Sequence, residues 1–66
     1  MKKSYYVQVN DHMTPVKVWL AEDEAVAVAY VLGEIAKADP DALVEISDDE
    51  SGDVLYDNYN EWSRSH

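Results

Sequence analysis

Residues 21–38 read AEDEAVAVAYVLGEIAKA, and this stretch decides the fold. Glu22, Asp23 and Glu24 open it, Lys37 closes it and Asp39-Pro40 follows, the order that the helix dipole and proline geometry favour. The pattern predicts one helix from Ala21 to Ala38. At 100° per residue, Ala25, Val28, Val31, Leu32, Ile35 and Ala36 form a wide apolar face, the side that meets a sheet. Val26 and Tyr30 lie opposite with Glu22, Gly33 and Lys37, so two apolar residues are expected on the wet side. A glycine in mid-helix costs about 1 kcal/mol relative to alanine, so Gly33 points to a close approach there.

On both sides of the helix the pattern changes to a period of two. Tyr5, Val7 and Val9 alternate with Tyr6, Gln8 and Asn10; after the turn-prone Asn10-Asp11-His12-Met13, Val16, Val18 and Leu20 alternate with Pro15, Lys17 and Trp19. These are the strands of a hairpin. Pro15 cannot donate to a ladder, so it belongs at a strand start or a sheet edge. Beyond the helix, Ala42, Val44 and Ile46 alternate with Leu43, Glu45 and Ser47. Asp48 to Asp53 then forms a turn with Gly52 available for a positive φ, and Val54, Leu55 and Tyr56 begin a fourth strand. Residues 57–66 are expected to extend that strand or to cover an edge.

The order ββαββ predicts an α+β fold: an antiparallel sheet of about four strands with one helix packed on one face, a single domain over residues 1–66. The uncovered sheet face then displays Tyr6, Gln8, Lys17, Trp19, Leu43 and Glu45.

At 66 residues and 7.5 kDa the chain has room for one hydrophobic core. Its hydrophobic content of 47% and its seven Tyr and Trp residues favour folding over the disorder that a strongly acidic composition otherwise suggests. The absence of cysteine excludes disulfides, thiolate zinc sites and a cysteine nucleophile. Lys2 and Lys3 are followed by alternation, not by the apolar core of a signal peptide, and the run from Ala25 to Leu32 is too short to span a bilayer. The expectation is a soluble, cytoplasmic protein that does not engage membranes.

Chemical motifs are missing. His12 falls in a predicted turn and His66 at the end of the sequence, without a second histidine at ligand spacing, and no serine carries nucleophile-elbow glycines. The segment from Asp48 to Asp53 places glycine fifth where a calcium loop needs it sixth, and no helices flank it. Gly33 and Gly52 are the only glycines, so there is no phosphate-binding loop. The chain reads as a non-enzyme, with no cofactor, metal or catalytic residue.

Charge is the informative feature. The net charge is −9 and the pI about 4.2, which disfavours direct nucleic-acid binding and favours cationic partners. Residues 1–37 carry four Lys against five acids, net −1, whereas residues 38–66 carry nine acids against Arg64 alone, net −8. Clustered like charges repel, so this polarity suggests either solubility or an acidic docking face. Carboxylates on adjacent strands about 4.8 Å apart, or two residues apart along one strand at roughly 6.6 Å, approach phosphate spacings. Asp48, Asp49, Glu50 and Asp53, with Asp57 and Glu61 beyond, are candidates for such a row, and Tyr56, Tyr59 and Trp62 for the apolar anchors beside it. Trp19, Val26 and Tyr30 form a secondary apolar surface.

A small, cysteine-free, acidic α+β chain with its carboxylates in one half resembles the small inhibitors encoded by bacteriophages, such as anti-CRISPR proteins and DNA mimics. The resemblance is one of overall profile. It implies a phage protein acting in the host cytoplasm, an inhibitor whose carboxylates occupy the basic channel of a nucleic-acid-binding protein or nucleoprotein complex. It transfers no functional residue. The alternatives are a protein-binding module, such as an antitoxin-like neutraliser or a small assembly factor, and a structural homodimer.

Overall fold

The helix-forming stretch is flanked by two hairpins in the computed structural model, which describes residues 1–9 and 15–64. His12, His66 and most of the first turn lie outside the described residues. The elements are β1 (Lys2–Val9), β2 (Val16–Ala21), α1 (Glu22–Ala38), β3 (Val44–Asp48), β4 (Val54–Asp57) and α2 (Tyr59–Arg64). The strands form one antiparallel sheet in the order β2-β1-β3-β4. The α+β reading and the ββαββ order agree with this arrangement, to which α2 is an addition.

β1 begins earlier than its alternation suggested. Lys2 pairs with Ala21 and Val7 with Val16 on one side, while Tyr5 pairs with Asp48 and Val9 with Val44 on the other. The central position of β1 gives it partners along its whole length, so the ladder recruits the polar Lys2 and Lys3. Pro15 immediately precedes the edge strand β2, where its missing N–H has no ladder to interrupt.

At the start of α1 the Ala21 N–H donates to Glu24 Oε1 at 2.7 Å, so an N-terminal amide is satisfied although alanine offers no capping oxygen. At its end the Asp39 N–H reaches Ile35 O at 2.9 Å, and Pro40 prevents continuation. The core consists of Tyr5, Ala25, Leu32, Ala42, Val44 and Ile46, with Val7, Val18, Leu20, Val28 and Ile35 among the residues packed around it. One residue of the expected helix face is displaced: Val31 is 53% exposed, and Ala29 packs against the core instead. The stripe centres on Leu32, from which Val31 lies about 100° around the helix and Ala29 only about 60°.

β3 starts at Val44, two residues later than the alternation suggested, although Ala42 is buried. The ladder with β4 then breaks: Ile46 pairs with Tyr56 but Ser47 pairs with Val54, leaving Leu55 as the extra residue of a bulge. Val54 and Tyr56 would share a face in a regular strand. The bulge sends Tyr56 to the helix side and Val54 to the open side. The turn before β4 is closed by Asp48 N–H to Asp53 O (2.8 Å) and Gly52 N–H to Asp48 O (2.9 Å), with Gly52 at φ 77° as its sequence position suggested.

Of the tail expected to extend β4 or cover an edge, Asp57 belongs to the strand, whereas Tyr59–Arg64 form the short helix α2. Asp57 Oδ1 accepts from the Tyr59 N–H at 3.2 Å and the Asn58 carbonyl from the Trp62 N–H at 2.9 Å, so local acceptors start the turn. No helix among the described residues is long and apolar enough to cross a membrane.

Candidate partner-binding surface

Two of the four hairpin carboxylates are engaged inside the fold. Asp48 is only 7% exposed: its Oδ2 lies 2.6 Å from Lys3 Nζ, and its Oδ1 accepts from the Glu50 and Ser51 amides at 2.8 and 3.2 Å. The hydrogen bond from Lys3, reinforced by those amides, holds the Asp48 carboxyl below its ordinary range, and Asp48 in turn raises the Lys3 ammonium. Asp49 Oδ2 lies 3.4 Å from Lys17 Nζ, and its N–H donates to Ser4 O at 3.1 Å. Glu50 and Asp53 remain exposed. The candidate row is therefore divided into two carboxylates that tie β3 and its turn to β1 and β2, and two that face solvent.

The other candidate acids lie elsewhere. Asp57 pairs across strands with Glu45, which in turn sits opposite Gln8, so two carboxylates are neighbours on the open sheet face. Lys17, Tyr6, Ser47 and Val54 form the adjacent row, with Lys17 Nζ 5.8 Å from the Tyr6 ring centroid. Trp19, 65% exposed, continues this face on β2. Because the two hairpins lie side by side, the charge polarity of the sequence becomes a polarity of the sheet. Lys2, Lys3 and Lys17 lie on the β2-β1 half, whereas Glu45 and Asp57 lie on the β3-β4 half, with Asp53 in the turn that joins β3 to β4.

The aromatic candidates converge on a different surface. Tyr56 and Trp62 line a groove of about 620 Å³ between α1, β4 and α2, together with Tyr30, Gly33 and Leu55. Glu34, Lys37 and Glu61 also border it. Tyr59 is exposed on α2, its ring centroid 6.3 Å from that of Trp62. Val26, 63% exposed, lies one turn before Tyr30 on the outer side of α1. Tyr30 thus belongs with the C-terminal aromatics, while Trp19 is on the open sheet face and separate from them.

Asn58 holds this arrangement together, and sequence reading did not single it out. Its buried side chain accepts from the Val44 N–H at 2.9 Å and donates to Ala42 O at 2.8 Å, so one amide satisfies the backbone at the entry to β3. The Trp62 indole N–H donates to Asp41 O at 3.1 Å and secures α2 from the other side. The available signal was the Asp57-Asn58 pair ahead of Tyr59 and Trp62, a capping pattern before residues at helical spacing.

Among the described residues, no three or more His, Asp or Glu side chains are grouped to hold a metal ion. The surfaces combine exposed rings, carboxylates and a groove, features suited to recognition. No family model, curated protein or solved structure matches the chain.

Proposed function

We propose that the protein is a non-enzymatic inhibitor that binds a basic, nucleic-acid-binding protein through its acidic half, as an anti-CRISPR protein or DNA mimic does, in the cytoplasm of the cell that holds its target. The observation that carries this reading is the strand order. It gathers Glu45 and Asp57, with Asp53 in the connecting turn, on one half of the sheet while the lysines of β1 and β2 lie on the other. Glu45 and Asp57 are directly opposite, an arrangement that opposes folding and is relieved by a cationic partner. Asp48 and Asp49 supply internal cohesion in this reading, and Glu50, Asp53, Asp57 and Glu45 supply the external field.

Capture with immobilised protein tests the proposal. The expected partner is a basic nucleic-acid-binding protein whose retention falls steeply between about 50 and 200 mM salt and which duplex DNA displaces. Glu45→Lys combined with Asp53→Lys reverses two charges while leaving Asp48 in place, and weakens capture about tenfold or more. Capture indifferent to salt, to DNA and to these reversals would overturn the proposal.

A second reading, a protein-binding module with an apolar contact surface, draws on the exposure of Val26 and of Tyr30, the latter 70% exposed on α1. Alanine at both positions abolishes binding in that case while the charge reversals leave it intact. A homodimer would bring two chains of net −9 together, which disfavours self-association at low salt.

A further inference from the structure

We infer that the outer edge of β4 accepts a fifth strand from the basic partner, an extended segment in which apolar and basic residues alternate; the inference deepens the reading of that partner as basic and rests on it. β4 ends the strand order, so within the sheet it pairs with β3 alone. The Asn58 N–H donates back to Val44 O at 3.4 Å, and backbone groups alternate in direction along a strand. The Asp57 N–H and carbonyl therefore turn away from β3, and an outward row of this kind selects another strand. The length of four residues and the bulge at Leu55 keep the ladder short, so side chains supply most of the selectivity.

The two faces beside this edge differ. On the helix side, the groove of about 620 Å³ between α1, β4 and α2 is lined by Tyr30, Gly33, Leu55, Tyr56 and Trp62. A strand laid along β4 sends every second side chain into it. Lys37 and Glu34 at its border pair with each other at 3.8 Å, so the groove suits apolar side chains. On the open side, Asp57 and Glu45 stand opposite each other as a non-hydrogen-bonded pair, the kind whose side chains lie closer. Asp57 Oδ1 accepts from the Tyr59 N–H, and neither carboxylate has a Lys or Arg partner among the described residues, whose cations pair with Asp48, Asp49 and Glu34 instead. The remaining side chains of an added strand lie over this face, where a long basic one passes Asp57 and reaches toward Glu45. The edge at β2 lacks this character, since Lys17 is on that strand. A second copy is a poor occupant: its β2 also alternates, but Val18 and Leu20 pack against its own core and Lys17 is held by Asp49.

The test is a titration of ¹⁵N-labelled protein with acetyl-Lys-Leu-Lys-Leu-Lys-amide and two controls. Acetyl-Lys-Lys-Leu-Leu-Lys-amide keeps the composition and loses the alternation; a form N-methylated at every residue keeps side chains and charge and loses the ladder donors. Salt near 150 mM, where the Debye length is about 8 Å, suppresses diffuse attraction. The alternating peptide is expected to slow hydrogen exchange at the Asp57 amide and to shift Leu55 and the Trp62 indole N–H, while the Trp19 indole stays in place. Both controls should bind at least tenfold more weakly. Glu45→Gln combined with Asp57→Asn, which keeps an acceptor for the Tyr59 N–H, should weaken the alternating peptide about threefold. Equal binding of either control, or an Asp57 amide unprotected at millimolar peptide, would overturn the inference. So would an Asp57 amide already protected in a free protein that sediments as an assembly, since a second copy then holds the edge. Salt- and DNA-sensitive capture without strand addition overturns the inference and keeps the proposed function. Strand addition in a protein whose captured partner ignores salt and DNA overturns the proposed function and leaves β4 as a strand acceptor.

Discussion

Lys3 Nζ lies 2.6 Å from Asp48 Oδ2, joining the start of β1 to the end of β3 across a separation that no local pattern spans. This contact and the amides bound to Asp48 Oδ1 make Asp48 a structural carboxylate within the acidic hairpin.

The pH dependence of that contact has a definite sign. Asp48 is held below the ordinary carboxylate value of about 3.8, so its stabilisation is present above the unfolded pKa and lost as pH falls through the lower folded one. Lys3 is raised above 10.5, so its share is present below that value and lost as pH rises through the folded pKa. Asp48→Asn is expected to lower the melting temperature at pH 7, and the gap from the parent protein to narrow in acid. Parallel thermal melts from pH 7 to pH 2 measure the gap; one that stays constant would remove the ion pair from the account.

Gly33→Ala should stabilise the protein by about 0.5–1 kcal/mol, because it restores helix propensity and its Cβ meets Tyr56 at an unstrained distance. For a domain of this size, 1 kcal/mol is about 4–8 °C in Tm. Urea and thermal melts check it. A destabilised variant would mean that Tyr56 is packed too rigidly to accept the methyl.

Asn58→Ala deprives the Val44 N–H and the Ala42 carbonyl of their side-chain partner at a buried position. The expected loss is about 2–3 kcal/mol. Asn58→Asp keeps the acceptor for Val44 but turns a second oxygen toward Ala42 O, so it should be more damaging at pH 7 than near pH 4. Denaturant titrations at the two pH values separate these effects.

Glu45→Lys replaces one member of a like-charged cross-strand pair with the opposite charge beside Asp57. It should raise stability by about 0.2–1 kcal/mol while weakening partner capture. A variant that gains stability and retains full capture would place the binding surface away from the open sheet face.

Periodicity, charge at the helix ends and turn chemistry act between near neighbours, and these features were legible along the chain. The limits of α1, the alternation of the strands, Gly52 at positive φ and the outward positions of Val26 and Tyr30 all follow from them. Other features depend on groups far apart in sequence. The β2-β1-β3-β4 order requires β1 to pair with a strand beyond the helix, and the bulge at Leu55 puts Val54 and Tyr56 on opposite faces. Asp48 is buried because Lys3 reaches it, and α2 docks because Asn58 finds unsatisfied backbone at Ala42 and Val44 and the Trp62 indole finds Asp41 O. The acidic half was therefore visible as a run of residues. Which carboxylates hold the fold and which face outward was decided only by the tertiary structure, since burial and ion pairing are properties of the assembled surface.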